Sequence, residues 1–195
     1  MTNNWRDTMS RGSRKIAVIG AGNVGATCAF VLANMKIADV VLLDIYEGFA
    51  KGKALDMSQN ANVLNYNGTI TGTSNYEDIA GADVVVVTSG FPRQPGMTRE
   101  DLIGKNAEIV AQVGAGIRDH APDSVVIVVT NPLDLMTYHM QKVTGFPANR
   151  VIGQEILTRM RSRGKMGKQL VHVPIDAEDA TSIGSEFALA IRRLP

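Results

Sequence analysis

Three groups of residues in this chain have the types and spacing for chemistry. The first is Gly20-Ala21-Gly22-Asn23-Val24-Gly25, the pattern GxGxxG. Glycine at the first position permits a tight turn. At the second it lets backbone approach a pyrophosphate, and at the third it lets a helix sit close to a strand. A helix opening there offers unpaired N–H groups and the positive end of its dipole to phosphate oxygens. Asp44 lies 19 residues beyond Gly25. A carboxylate at that spacing accepts hydrogen bonds from a ribose diol and repels a 2′-phosphate, which favours NAD over NADP. Ile45 and Tyr46 follow it, with no Arg or Lys to reverse the preference. Within the glycine motif alone, FAD is the competitor.

The second group is Gly90-Phe91-Pro92-Arg93-Gln94-Pro95-Gly96-Met97-Thr98-Arg99-Glu100-Asp101. Its prolines and glycines suit a lid with stiff segments and hinges. Arg93 and Arg99 can fork onto carboxylates or polarise a carbonyl. A solvated loop kept soluble by its arginines is the competing reading. The third group is Asn131-Pro132. Asn131 is placed as an N-cap for the helix that Pro132 begins, and its side chain stands near the expected nicotinamide; both roles can hold at once. The chain has three histidines, His120, His139 and His172, and each reads as a surface or packing residue.

These groups need elements to position them. KIAVI (Lys15–Ile19), DVVLLD (Asp39–Asp44), Gly68–Thr73, DVVVVT (Asp83–Thr88), SVVIVVT (Ser124–Thr130) and Arg150–Gly153 read as strands. Most are continuous apolar runs rich in β-branched residues, as expected of parallel strands buried on both faces. Between them Val24–Met35, Glu47–Leu64, Thr98–Asp119 and Pro132–Thr144 read as helices. Thr98 and Asp101 are suited to the start of the third, and Gly145 stands just past the end of the fourth. Alternating strands and helices demand βαβ crossovers, and so a doubly wound α/β domain of the Rossmann type with six parallel strands. Glycine loop, arginine loop and Asn131 all then leave the carboxyl edge of the sheet, where such folds bind ligands. The expected organisation is a flexible polar leader over residues 1–13, the Rossmann domain over 14–153, and a divergent tail over 154–195.

Composition narrows the classes further. The chain has 195 residues, 45% hydrophobic and 20% charged, which suits a globular protein and excludes global disorder. Its net charge of +1 lacks the electrostatic footprint of a nucleic-acid binder. No apolar run reaches membrane-spanning length, and the leader has no apolar region of a secretory signal. The single cysteine, Cys28, cannot form an internal disulfide, so a reducing compartment, the cytoplasm, is expected. No metal is expected.

Taken together, VIGAGNVG, VVLLDI, GKALDM, VVVTSGFPRQPGMTREDL, VTNPLDLMTY and GFPANRVIGQ resemble malate dehydrogenase of the lactate-dehydrogenase-like type, from Arg14 to Gln154. The resemblance implies an oxidoreductase of the tricarboxylic acid cycle that uses NAD and acts on malate and oxaloacetate. It implies that Gly20, Ala21, Gly22, Asn23, Val24, Gly25, Asp44, Asn106, Val129, Thr130 and Asn131 line the cofactor. It gives Arg93 the distal carboxylate of the substrate, Arg99 the carbonyl, and Asn131 a contact to both molecules. Lactate dehydrogenases usually carry glutamine at the position of Arg93, and a guanidinium over a methyl group would sit unpaired. A homo-oligomer is expected.

The resemblance breaks after Gln154. In the family, an LDxxR helix and a GxHGD segment follow and supply an aspartate, an arginine and the proton-accepting histidine. The sequence here continues EILTRMRSRG and contains neither motif, so no catalytic residue is identified. A truncated gene, a frameshift or a splice variant would look alike. The expectation is an NAD-binding half whose turnover is impaired. The alternatives are a binding module without turnover and a chain that pairs with an intact family subunit through the helix around Gly52–Met57.

Overall fold

A computed structural model describes residues 14–60 and 69–154. The expectations for the leader, for the tail after Gln154, and for the stretch 61–68 lie outside the described residues. Six strands form one parallel sheet: β1 (Lys15–Ile19), β2 (Asp39–Leu43), β3 (Ile70–Thr73), β4 (Val84–Val87), β5 (Val125–Val128) and β6 (Val151–Gly153). Their order across the sheet is β3-β2-β1-β4-β5-β6, the doubly wound arrangement. Among the described residues four helices connect them: α1 (Asn23–Asn34), α2 (Glu47–Gln59), α3 (Arg99–His120) and α4 (Leu133–Thr144).

The apolar runs are continuous because both faces of each strand are covered. Along β1 and β4, alternate residues Ile16, Val18, Val84 and Val86 pack toward Cys28, Ala29, Leu32 and Ala50 of α1 and α2. Their neighbours Ala17, Ile19, Val85 and Val87 pack toward Val110, Val113, Ile117, Met136 and Met140 of α3 and α4. Most of these side chains are fully buried. At about 1.5–3 kcal/mol for each fully buried Val, Leu, Ile or Met, the two cores supply the main favourable term. Register follows from this pairing: Ile16 stands opposite Val40 on one side and Val84 on the other.

Local chemistry sets the helix ends. Thr98 Oγ1 accepts from the Asp101 N–H at 3.1 Å, and the Asp101 carboxylate accepts from the Thr98 N–H at 3.1 Å, a reciprocal capping box that starts α3. Gly145, at φ 70°, closes α4 in the left-handed region. One expectation is corrected here. Pro132, not Asn131, is the N-cap of α4, and no side chain caps that end. The Asn131–Pro132 bond is cis. The Asn131 carbonyl is instead engaged by Asn106, at 2.7 Å. A 3₁₀ turn at Tyr76–Ile79, not anticipated, is capped by the Asn75 side chain, which accepts from the Glu77 N–H. Among the described residues no helix is long and apolar enough to cross a membrane.

Candidate cofactor and substrate site

The glycine loop joins β1 to α1, and its three glycines differ in what surrounds them. Gly20 has φ +105°, and a Cβ there would lie 2.7 Å from the Ser89 nitrogen of the neighbouring β4 exit. A Cβ on Gly25 would lie 1.8 Å from the Gly20 carbonyl oxygen, so α1 sits hard against the loop. Gly22, by contrast, has no heavy atom within 4 Å of its Cβ position. It is the N-cap of α1 and carries no side-chain cap. The first turn of α1 therefore presents N–H groups toward open space that any side chain at Gly22 would fill, which is the cradle a pyrophosphate needs.

Asp44 follows β2 directly. One of its oxygens accepts from the Ala21 N–H at 2.7 Å, and the other from the Tyr46 N–H at 3.1 Å. The carboxylate thus braces the glycine loop across the β1–β2 crevice. Ionised, it retains lone pairs for a ribose diol beyond these two bonds. Ile45 and Tyr46 are 82% and 69% exposed beside it.

Across the loop, the ends of β4 and β5 are tied by hydroxyls. Thr88 Oγ1 donates to the Gly20 carbonyl at 3.1 Å, and Thr130 Oγ1 donates to the Ser89 carbonyl at 2.7 Å. The Val129 N–H donates to the Val87 carbonyl at 2.9 Å. Ser89 Oγ is buried with no hydrogen-bond partner. An orphaned hydroxyl at the carboxyl edge, beside an open cradle, fits a site whose polar complement comes with a ligand. Asn106, 1% exposed, joins the two exits. Its Oδ1 accepts from the Phe91 N–H at 2.6 Å, and its Nδ2 donates to the carbonyls of Phe91 at 3.3 Å and Asn131 at 2.7 Å.

Beyond Phe91 the chain turns outward. Arg93 and Arg99 are exposed, the first on the loop and the second at the first position of α3. Among the described residues no carboxylate pairs with either, which leaves both guanidiniums for an anion. The structure thus groups Gly20–Gly25, Asp44, Asn106, Val129, Thr130 and Asn131 at one edge, with Arg93 and Arg99 on the segment rising from it. Sequence reasoning missed Thr88 and Ser89. The available signal was a hydroxyl residue directly following a β-branched run.

The remaining reactive groups are accounted for elsewhere. His139 Nε2 is 3.1 Å from the Ala107 carbonyl and stitches α4 to α3. His120 stacks on Tyr76 with ring centroids 6.2 Å apart. His172 lies outside the described residues. Burial pushes the Cys28 thiol up to about 12, so it remains a protonated core residue at neutral pH. A cleft of about 400 Å³ opens at the amino ends of β1–β3, lined by Lys15, Asp39, Thr69, Thr71 and Asp78, and contains none of the site residues.

Residues 14–153 match the model of the lactate/malate dehydrogenase NAD-binding domain. The chain belongs to this family. A malate dehydrogenase of Staphylococcus carnosus is 53% identical over 152 residues, covering 76% of this chain and 49% of that protein. One from Ehrlichia canis is 46% identical over 179 residues, 91% of this chain and 57% of that protein. Among solved structures, malate dehydrogenase from Archaeoglobus fulgidus in complex with NADH is 41% identical, with a TM-score of 0.69, over 76% of this chain and 52% of that one. The chain thus spans about half the length of the relatives it matches. The family is one of NAD-dependent oxidoreductases, and the domain present here is the one that binds the nucleotide.

Proposed function

We propose that this chain is the NAD-binding half of a malate dehydrogenase, holding NAD and the dicarboxylate end of malate or oxaloacetate, with turnover impaired when it acts alone. The observation that carries this reading is Asp44, whose carboxylate reaches across the β1–β2 crevice to the Ala21 N–H, 2.7 Å away. It places an acceptor for a ribose diol beside the open N-terminus of α1, which receives the pyrophosphate. NAD, once bound, accepts or supplies the hydride. Arg93 pairs with the distal carboxylate, Arg99 polarises the carbonyl, and Asn131 orients substrate and nicotinamide. Two exposed arginines, neither paired with a carboxylate among the described residues, support the first two roles. Of the described histidines, His139 Nε2 bonds the Ala107 carbonyl between α4 and α3, and His120 stacks on Tyr76 at the last residue of α3. A binding module without turnover follows as the second reading. General acid–base help is worth about 10²–10⁴-fold.

Association accompanies this role. Along and just before α2, Ile45, Tyr46, Phe49 and Leu55 are 48–82% exposed, and Gly48 and Gly52 have open surroundings. Such a face suits a second copy of this chain or an intact family subunit. We place the protein in the cytoplasm, where a single buried cysteine needs no oxidising environment.

Calorimetric titration with NAD and NADP, with malate oxidation assayed on the same preparation from a host lacking its own enzyme, tests the reading. Tight NAD binding with weak turnover is expected. Failure to bind NAD overturns the whole proposal, and turnover like that of an intact family enzyme overturns the impairment. Light scattering at two protein concentrations tests association.

A further inference from the structure

Asn106 is the most deeply buried polar side chain at the carboxyl edge, 1% exposed, and its amide is committed to protein. Both carbonyls it donates to and the N–H it accepts from belong to backbone: Phe91 twice and Asn131 once. An asparagine has two N–H donors and one carbonyl oxygen, so these bonds use both donors and one of two lone pairs. Little remains with which to contact a ligand. The two segments joined are the root of the arginine loop and the turn that carries Asn131. The loop root is fastened further. Lys105, the neighbour of Asn106 on α3, lies over the Phe91 ring at 4.6 Å, and Thr130 holds the Ser89 carbonyl. After Phe91 the segment is exposed from Pro92 to Gly96, and at Thr98 the capping box with Asp101 fixes it again.

We infer that Asn106 is a positioning residue. It sets the distance between the arginine loop and the Asn131 turn, and it acts on a bound ligand through them. An amide suits this task where a carboxylate does not. The substitution Asn106→Asp would keep an acceptor for Phe91 but turn an oxygen toward the Phe91 and Asn131 carbonyls. Only the protonated acid could restore a donor, and burial favours that protonated form.

The experiment has two arms, both on the full chain; only the second rests on the NAD-site reading. Without ligand, amide hydrogen exchange is followed residue by residue by NMR. In Asn106→Ala, the Phe91 amide should exchange about tenfold faster or more, while amides within β1 and β4 keep their wild-type rates. In Asn106→Asp, Phe91 should stay protected, because an oxygen still accepts its N–H. Unchanged exchange at Phe91 in Asn106→Ala, or equal acceleration everywhere, would overturn the inference. In the second arm, NAD affinity is titrated between about pH 5 and pH 8 for wild type and Asn106→Asp. The ratio between the two proteins corrects for His139, which bonds the adjacent Ala107 carbonyl, and for Lys105. Asn106→Asp should bind about tenfold more weakly at the upper pH and recover as pH falls. A deficit constant with pH would show that the donor to Asn131 is not what matters. A wild type that fails to bind NAD would refute the site reading alone, with the exchange arm still deciding the role of Asn106.

Discussion

Alanine at Gly22 and alanine at Gly25 should separate ligand from fold. Gly22 has φ −62° and ψ −172°, ordinary extended backbone for an L-residue. Its Cβ position is empty to 4 Å, so the methyl meets no atom of the chain. At Gly25 the methyl would stand 1.8 Å from the Gly20 oxygen and 2.6 Å from Thr88 Oγ1. The oxygen cannot retreat, because the next residue is pinned by its N–H to Asp44. Relief requires α1 to lift off the sheet and open the contacts of Cys28, Ala29 and Leu32. Overpacking of this kind costs about 3 kcal/mol or more. At about 2–4 °C per kcal/mol for a chain of this size, Gly25→Ala should melt some 6–12 °C lower, or fail to accumulate as folded protein. Gly22→Ala should melt about 2–4 °C below wild type, from the roughly 1 kcal/mol by which glycine exceeds alanine as an N-cap. Yet its methyl occupies the cradle, and NAD should bind about tenfold more weakly or worse, a loss near 1.4 kcal/mol. Circular dichroism melts and calorimetric titration read the two quantities separately. Wild-type NAD affinity in Gly22→Ala would refute the placement of the phosphates; a wild-type melt for Gly25→Ala would refute the packing argument.

Three further outcomes are expected. Asp44→Ser should narrow the preference for NAD over NADP by about tenfold, and lower stability by about 1.5–3 kcal/mol through the lost charge-assisted bond to Ala21; parallel titrations and melts check both, and unchanged discrimination would remove Asp44 from the ribose. Hydrogen bonds from the Thr98 side chain and backbone hold the Asp101 carboxyl below its usual value of 3.8. A depressed folded pKa stabilises above the unfolded value and is lost as pH falls through the folded one, so the start of α3 should loosen in acid below about pH 4. In Thr98→Ala, an NMR titration should find the Asp101 value moved part of the way back up, because the backbone N–H of residue 98 still donates to it; a value unchanged from wild type would exclude the Thr98 side chain as a cause. Arg93→Gln should cost about 1.5–3 kcal/mol of discrimination between oxaloacetate and pyruvate, measured by competition binding, and equal relative binding in both proteins would take Arg93 out of the site.

Much of this architecture is legible in the sequence for a physical reason. A parallel strand buried on both faces must be apolar at every position, so KIAVI and VVVV announce themselves. Thr98 with Asp101, and Gly145, mark helix ends through bonds within a few residues, which sequence records directly. The expected strands ran one or two residues long at Thr88 and Val129–Thr130, because these β-branched residues continue the apolar pattern past the strand ends, where the Thr88 and Thr130 hydroxyls donate to the Gly20 and Ser89 carbonyls. What stayed hidden depends on partners far along the chain. Asn131 reads as a cap from its neighbour Pro132, but its carbonyl is engaged by Asn106, 25 residues away. The brace from Asp44 to Ala21 spans 23 residues. The Tyr76–Ile79 turn is short and half-buried, and no periodicity marks it.

The position of β1 in the sheet bears on how the chain assembles. Its partner β2 is a single helix away, whereas its other partner is remote: the Lys15 N–H already reaches the Asp83 carboxylate, 68 residues on. As the chain emerges during synthesis, β1, β2 and β3 are all made before β4 exists. Parallel pairing across such separations belongs to the slow end of folding, in milliseconds to seconds. Throughout that interval the β4-facing edge of β1 is open, with Ile16, Val18 and Ile19 beside it. The centre of the finished sheet is therefore the exposed seam of the nascent one, and it marks the point at which a chaperone holding the half-made chain would keep it from pairing with its neighbours.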